Sequence, residues 1–184
     1  MDAPDQEAEI AATRRWIFAV VIGLNLCPFA RRVFESDRIR YVVTDVQDEE
    51  GLLGVLTDEL RTLVAAPRTS VETTLVIHPN ALADFLDYND FLATADDLIR
   101  DLRLRGVIQI ASFHPHYQFA GTSPDAVENY TNRSPFPMLH LLREESISEV
   151  AGDPDELLKI PERNIETLRR LGHEEMQRRL KSEE

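Results

Sequence analysis

The stretch VETTLVIHP at residues 71–79, with its counterpart VIQIASFHP at 107–115, decides the fold. Each opens as a run of β-branched and apolar residues, which suits a pleated and half-buried surface. Each is halted by a His-Pro pair, because proline cannot donate to a strand ladder. A third run, IRYVVTDV at 39–46, has the same character. Helical patterns separate them. Residues 49–66 carry Leu52, Leu53, Leu56, Leu60 and Leu63 and stop before Pro67, and residues 81–104 carry Leu82, Phe85, Leu92, Leu98 and Ile99 among acidic residues. Strand–helix–strand–helix–strand order predicts an α/β fold: a small sheet of three strands or slightly more, parallel or mixed, with flanking helices and a C-terminal helical extension. The alternative is a ferredoxin-like α+β arrangement.

Outward from this core, Ile10, Arg14, Ile17 and Val21 recur at helical spacing and predict a helix over 5–22, with Gly23 as its stop. Asn89-Asp90 is a candidate break within the helix over 81–104. Residues 114–133 show no period and read as an ordered functional loop. Ser134 as N-cap and Pro135 at the first helical position predict a helix to about residue 148. Asp153-Pro154 suggests a short helical turn, and Pro161 opens a last helix to about 181. The expectation is one domain over 1–184. It comprises an N-terminal helix and Cys loop (1–30), the core (39–113), the loop (114–133) and C-terminal helices (134–182).

Composition bounds the partners. The chain has 184 residues, 43% hydrophobic and 29% charged, as in an ordinary globular protein. Its 20 basic against 33 acidic residues give a net charge of −13, which repels a phosphate backbone or an anionic bilayer. Nucleic acid and membrane are therefore not the expected partners. One cysteine excludes an intramolecular disulfide and points to a reducing, cytoplasmic setting. The apolar run 16–30 is shorter than the ~20 residues of a membrane span. Acidic Asp2, Asp5, Glu7 and Glu9 stand where a signal peptide would be basic.

Parallel sheets bind ligands beyond the carboxyl ends of their strands, so His78, His114 and Asp45 are expected along one rim. His114 is the candidate general acid/base. Cys27, close in sequence to Arg31 and Arg32, is the candidate nucleophile or wall residue. Asn132 and Arg133, placed before a helix N-terminus, would hold an anionic group, with Tyr117, Phe119, His140 and Arg143 completing the pocket. Each residue also has a structural reading. His78 can be tied to a backbone carbonyl, Cys27 can pack as a small hydrophobe, Arg133 can anchor the loop, and His140 can be a satisfied core residue. No cofactor follows from the sequence. His114, His116, His140 and Cys27 are the candidate ligands for a divalent transition metal, an alternative to the leading expectation.

The words GLNLCPFA (23–30), SFHPHYQF (112–119) and TNRSPFPMLHLLRE (131–144) resemble an uncharacterised bacterial family, domain of unknown function 1415. The resemblance runs over residues 8–178 and implies that these segments form one site or one packed unit. That family more often carries Asp where His116 stands and Tyr where Phe136 stands, so it does not support His116 as a ligand. It implies no reaction. From the residues themselves, the leading expectation is an enzyme, a hydrolase or transferase acting on an anionic small molecule. The alternatives are a non-catalytic metabolite- or metal-binding module, and a structural adaptor or homodimer using the C-terminal helix.

Overall fold

A computed structural model describes residues 3–151 and 154–181. The strands are β1 (Ile39–Val43), β2 (Thr73–Ile77), β3 (Ile108–Phe113) and β4 (Met138–Arg143). The helices are α1 (Ala3–Trp16), α2 (Ala30–Glu35), α3 (Glu49–Ala65), α4 (Phe85–Asp101), α5 (Glu144–Ala151) and α6 (Pro154–Lys181). They build one mixed sheet of order β1-β2-β4-β3, with β1 parallel to β2 and β4 antiparallel to both of its neighbours.

The predicted strands and crossover helices form where the sequence places them. Asp48 caps α3 by accepting from the Gly51 N–H, and Asp84 caps α4 by accepting from the Leu86 and Asp87 N–H groups. Because of that cap, α4 starts at Phe85 rather than at residue 81, and it runs unbroken through Asn89-Asp90. The sheet is mixed, and helices cover both of its faces. The ferredoxin-like alternative does not form.

The main correction concerns residues 134–143, since the helix expected over 134–148 forms only from Glu144, as α5. In place of a helix, MLHLLR forms β4 and fills the slot between β2 and β3. Leu139 and Leu141 face one helical layer, while Met138 and His140 face the other. A strand buried on both faces reads as a continuous apolar run, which periodicity cannot separate from a buried helix. Ser134 caps nothing; its hydroxyl donates to the Phe136 carbonyl. The Asp153 part of the expected turn lies outside the described residues.

Strand alternation divides the core in two. On the first face, Leu52, Leu56, Leu60 and Leu63 of α3 and Tyr88, Phe91, Ala95 and Ile99 of α4 pack on Val76, Ile108, Leu139 and Leu141. Each fully buried side chain of this size contributes roughly 1.5–3 kcal/mol. The second face carries Leu75, Ile77 and Met138 under Trp16, Ile17, Val20, Leu168 and Met176. Here α1 passes into a π-helical turn, Ile17–Ile22. That turn ends at Gly23, where a Cβ would lie 2.4 Å from the Ala19 carbonyl oxygen, so only glycine fits. α6 changes direction at Gly172, whose φ of 79° is unfavourable for any side chain.

Candidate functional site

The ends of β1, β2 and β3 do share one rim. His78 and His114 sit there on either side of Tyr88, at ring separations of 5.9 and 5.1 Å, while Asp45 lies exposed beyond β1. Both imidazoles are fully buried. His114 Nε2 donates to the Leu82 carbonyl (3.2 Å) and its Nδ1 accepts from the His116 N–H (3.0 Å). Both ring nitrogens are thus committed to the backbone. Burial also pushes its pKa below the usual histidine range. His78 Nδ1 bonds the Ala81 carbonyl (3.0 Å), and burial lowers its pKa to about 4. The Tyr88 hydroxyl donates to Met138 O and accepts from the Phe113 N–H, which clips β3 to β4.

The loop beyond this rim is held by its own polar groups. Arg133 donates to the carbonyls of Tyr117 (3.2 Å) and Pro124 (2.6 Å) and lies over the Tyr130 ring at 4.8 Å. Asn132 Nδ2 donates to Ser112 O, and its own carbonyl accepts from the His114 N–H. Since β4 replaces the expected helix, no helix N-terminus follows Asn132-Arg133 to attract an anion. Tyr117 lies between Phe85 and Phe119, tilted against the first ring and edge-on to the second. Asn129, which sequence reasoning missed, is buried and organises the loop: its Oδ1 accepts from the Phe119 N–H and the Thr122 hydroxyl, and its Nδ2 donates to Ser123 O. An asparagine within an unpatterned polar loop gives no signal of this.

The second sheet face is hollow. A cavity of 410 Å³ lies between the strands and the layer of α1, the π-helical turn and α2. Trp16, Ile17, Val21, Phe29, Val33, Leu75, Ala111, Phe113 and Leu142 make it largely apolar. Cys27, His140 and Arg143 line it together, whereas His114, His116, Asn132 and Arg133 do not. The sheet separates the two groups: His140 points to the α1 side, while His78 and His114 pack on Tyr88 of α4. The cavity also lies toward the amino-terminal ends of β1–β3, beside Ile39, Thr73 and Gln109, and so away from the expected rim.

Within the cavity, His140 Nε2 lies 2.7 Å from Thr73 Oγ1, and burial lowers the imidazole pKa to about 4. Thr73 is a second residue that sequence reasoning missed, since its role depends on pairing with a strand that reads as helix. Burial pushes the Cys27 thiol up, partly offset by the backbone N–H groups of Phe29 and Ala30, so at neutral pH it is a thiol and not a thiolate. One Arg143 nitrogen donates to the carbonyls of Leu63 (2.5 Å) and Ala66 (2.8 Å), closing the C-terminal end of α3. Burial pushes the neighbouring Glu72 carboxyl up, yet Ser146, Arg68 and Arg38 outweigh it and hold the group ionised below the usual carboxylate range. Among the described residues, no group of three His, Cys, Asp or Glu side chains is arranged to hold a metal ion. Among the same residues, no helix is long and apolar enough to cross a membrane.

The sequence profile of a family described as protein of unknown function (DUF1415) matches residues 8–178. The chain belongs to the DUF1415 family. The match spans both helical layers and all four strands, so the hollow face and the rim lie within the DUF1415 region. No curated protein and no solved structure shows significant similarity to the chain.

Proposed function

We propose that this DUF1415 protein binds a largely apolar small molecule in the cavity beneath α1 and α2, with His140 as the polar contact. The observation that carries this reading is the cavity itself. At 410 Å³ it falls within the range of small-molecule pockets, and a neutral imidazole stands in a largely apolar wall. The space opens to solvent beside the exposed Arg32 and Gln109, so a small molecule has a path to its apolar wall. Backbone groups occupy both nitrogens of His114 and two of the nitrogens of Arg133, which favours the cavity over catalysis by His114 with an Arg133 anion pocket.

The test uses naphthalene as an apolar probe, followed by its fluorescence. Saturable binding of one molecule per chain is expected, with a dissociation constant of roughly 0.1 mM for a ligand of this size. Ala111→Phe, which fills the cavity from β3, is expected to abolish binding while keeping the thermal midpoint at or above that of the unmodified protein. Absent or non-saturable binding to the unmodified protein would reject the proposal.

A further inference from the structure

This inference rests on the cavity being a binding site, and it concerns what the site selects. Thr73 Oγ1 lies 2.5 Å from the Leu141 carbonyl oxygen and 2.7 Å from His140 Nε2. A carbonyl oxygen only accepts, so the one hydroxyl hydrogen of Thr73 goes to Leu141. The remaining lone pair of Thr73 then accepts from Nε2–H of His140. A neutral imidazole carries a single ring hydrogen, so Nδ1 presents a bare lone pair. Nδ1 has no hydrogen-bond partner among the described residues. Unlike Nε2 of His78, it is not sealed away from a water-sized molecule, so it opens onto the cavity.

The other strong polar groups on the wall are engaged elsewhere or sealed. The Trp16 indole N–H and the Arg143 Nε–H lack hydrogen-bond partners, but they and the Ser146 hydroxyl are closed off from a water-sized molecule. Arg143 is bonded to carbonyls of α3, and Glu72 is paired with Arg38 and Arg68. Gln109 and Arg32 are exposed. The interior therefore offers one strong acceptor, while the Cys27 thiol is only a weak donor.

We infer that the cavity selects neutral, mainly apolar molecules bearing one hydrogen-bond donor, such as phenols, alcohols or N–H heteroaromatics, over ethers, ketones and esters of similar shape. Thr73 is the positioning residue for this selectivity. It fixes the tautomer of His140, and an acceptor on the ligand would meet the Nδ1 lone pair with nothing to share.

Calorimetric titration with 2-naphthol and 2-methoxynaphthalene tests the selectivity, since the two share a ring system and differ in the donor. Binding of 2-naphthol should be roughly tenfold tighter, the worth of one such hydrogen bond. Thr73→Val keeps the side-chain shape and releases the tautomer, so the ratio should fall to about threefold or less. Nitrogen-15 NMR of imidazole-labelled protein, with the His140 signal assigned from His140→Gln, reads the tautomer without any ligand. It should show Nε2–H in the unmodified protein and a mixture in Thr73→Val. Equal binding of the two probes, or an Nδ1–H tautomer in the unmodified protein, would overturn the selectivity while leaving the binding site in place. Failure of both probes to bind would remove the binding site and the selectivity with it.

Discussion

The two faces of the sheet are built from alternate residues of the same strands, yet one is filled across its centre and the other is hollow beneath its helices. Toward α3 and α4, long aliphatic and aromatic side chains from both layers interdigitate across the middle of the sheet, and the recess on this side lies at the α4–β3 edge, beside Leu92, Ala95, Asp96, Ile110 and Ser112. Toward α1 and α2, Ala111 and Thr73 are small, and Trp16 and Phe29 wall a space without occupying it. The histidines follow the same division. Those beside α4 have given their nitrogens to the backbone or are sealed in, whereas His140 keeps one nitrogen open to the void. The histidines beside α4 thus offer no open nitrogen, while the hollow face keeps one available.

The sharpest way to break this contrast is a matched pair of truncations. Leu56→Ala on the filled face should cost about 2–5 kcal/mol in urea unfolding, through lost burial and a new cavity. Leu142→Ala, whose side chain already borders empty space, should cost less than half as much. Equal costs would mean that the hollow face is packed in solution.

A smaller effect separates the histidines. His78 and His140 have folded pKa values near 4, below the ordinary value of about 6.5, so the unfolded chain binds more protons between those limits. Their contribution is complete above pH 6.5 and is lost as pH falls toward 4. It is at most about 3 kcal/mol each, and less for His140, which borders space that water can enter. Stability measured at pH 7 and pH 4.5 should therefore lose more of its pH dependence in His78→Gln than in His140→Gln. The reverse order would show that His140 is the more deeply sealed of the two.

The smallest effect is expected on the outside of α2. Arg31 and Glu35 form an exposed pair at 3.3 Å, and Arg31→Ala should change stability by less than about 0.5 kcal/mol. A larger loss would mean that the outer surface of α2 is coupled to the wall it forms.

Much of this architecture was legible in the sequence. Three strands announced themselves through β-branched runs stopped by proline, and α3 and α4 through apolar spacing. The shared rim of His78 and His114 followed from parallel order. β4 was not legible, because His140 sits in an apolar run that is buried on both faces. The π-helical turn and α2 left no periodic signal of their own. Cys27, His140 and Arg143 were singled out for their chemistry, but their common location was hidden, since a cavity is made by what neighbouring side chains fail to fill. Thr73 became visible only once β4 was placed beside β2.

The placement of β4 also governs how the chain can assemble. Among the described residues, β3 has no partner except β4, and β2 has only β1 until β4 arrives. A nascent polypeptide that has emerged only through residue 133 therefore holds two unsatisfied strand edges facing an empty lane. Closing that lane depends on contacts between distant parts of the chain, a topology that folds slowly and exposes sticky edges while it waits. Truncation upstream of Met138 would thus leave a sheet with its central seam missing, and aggregation is the expected fate of such a fragment.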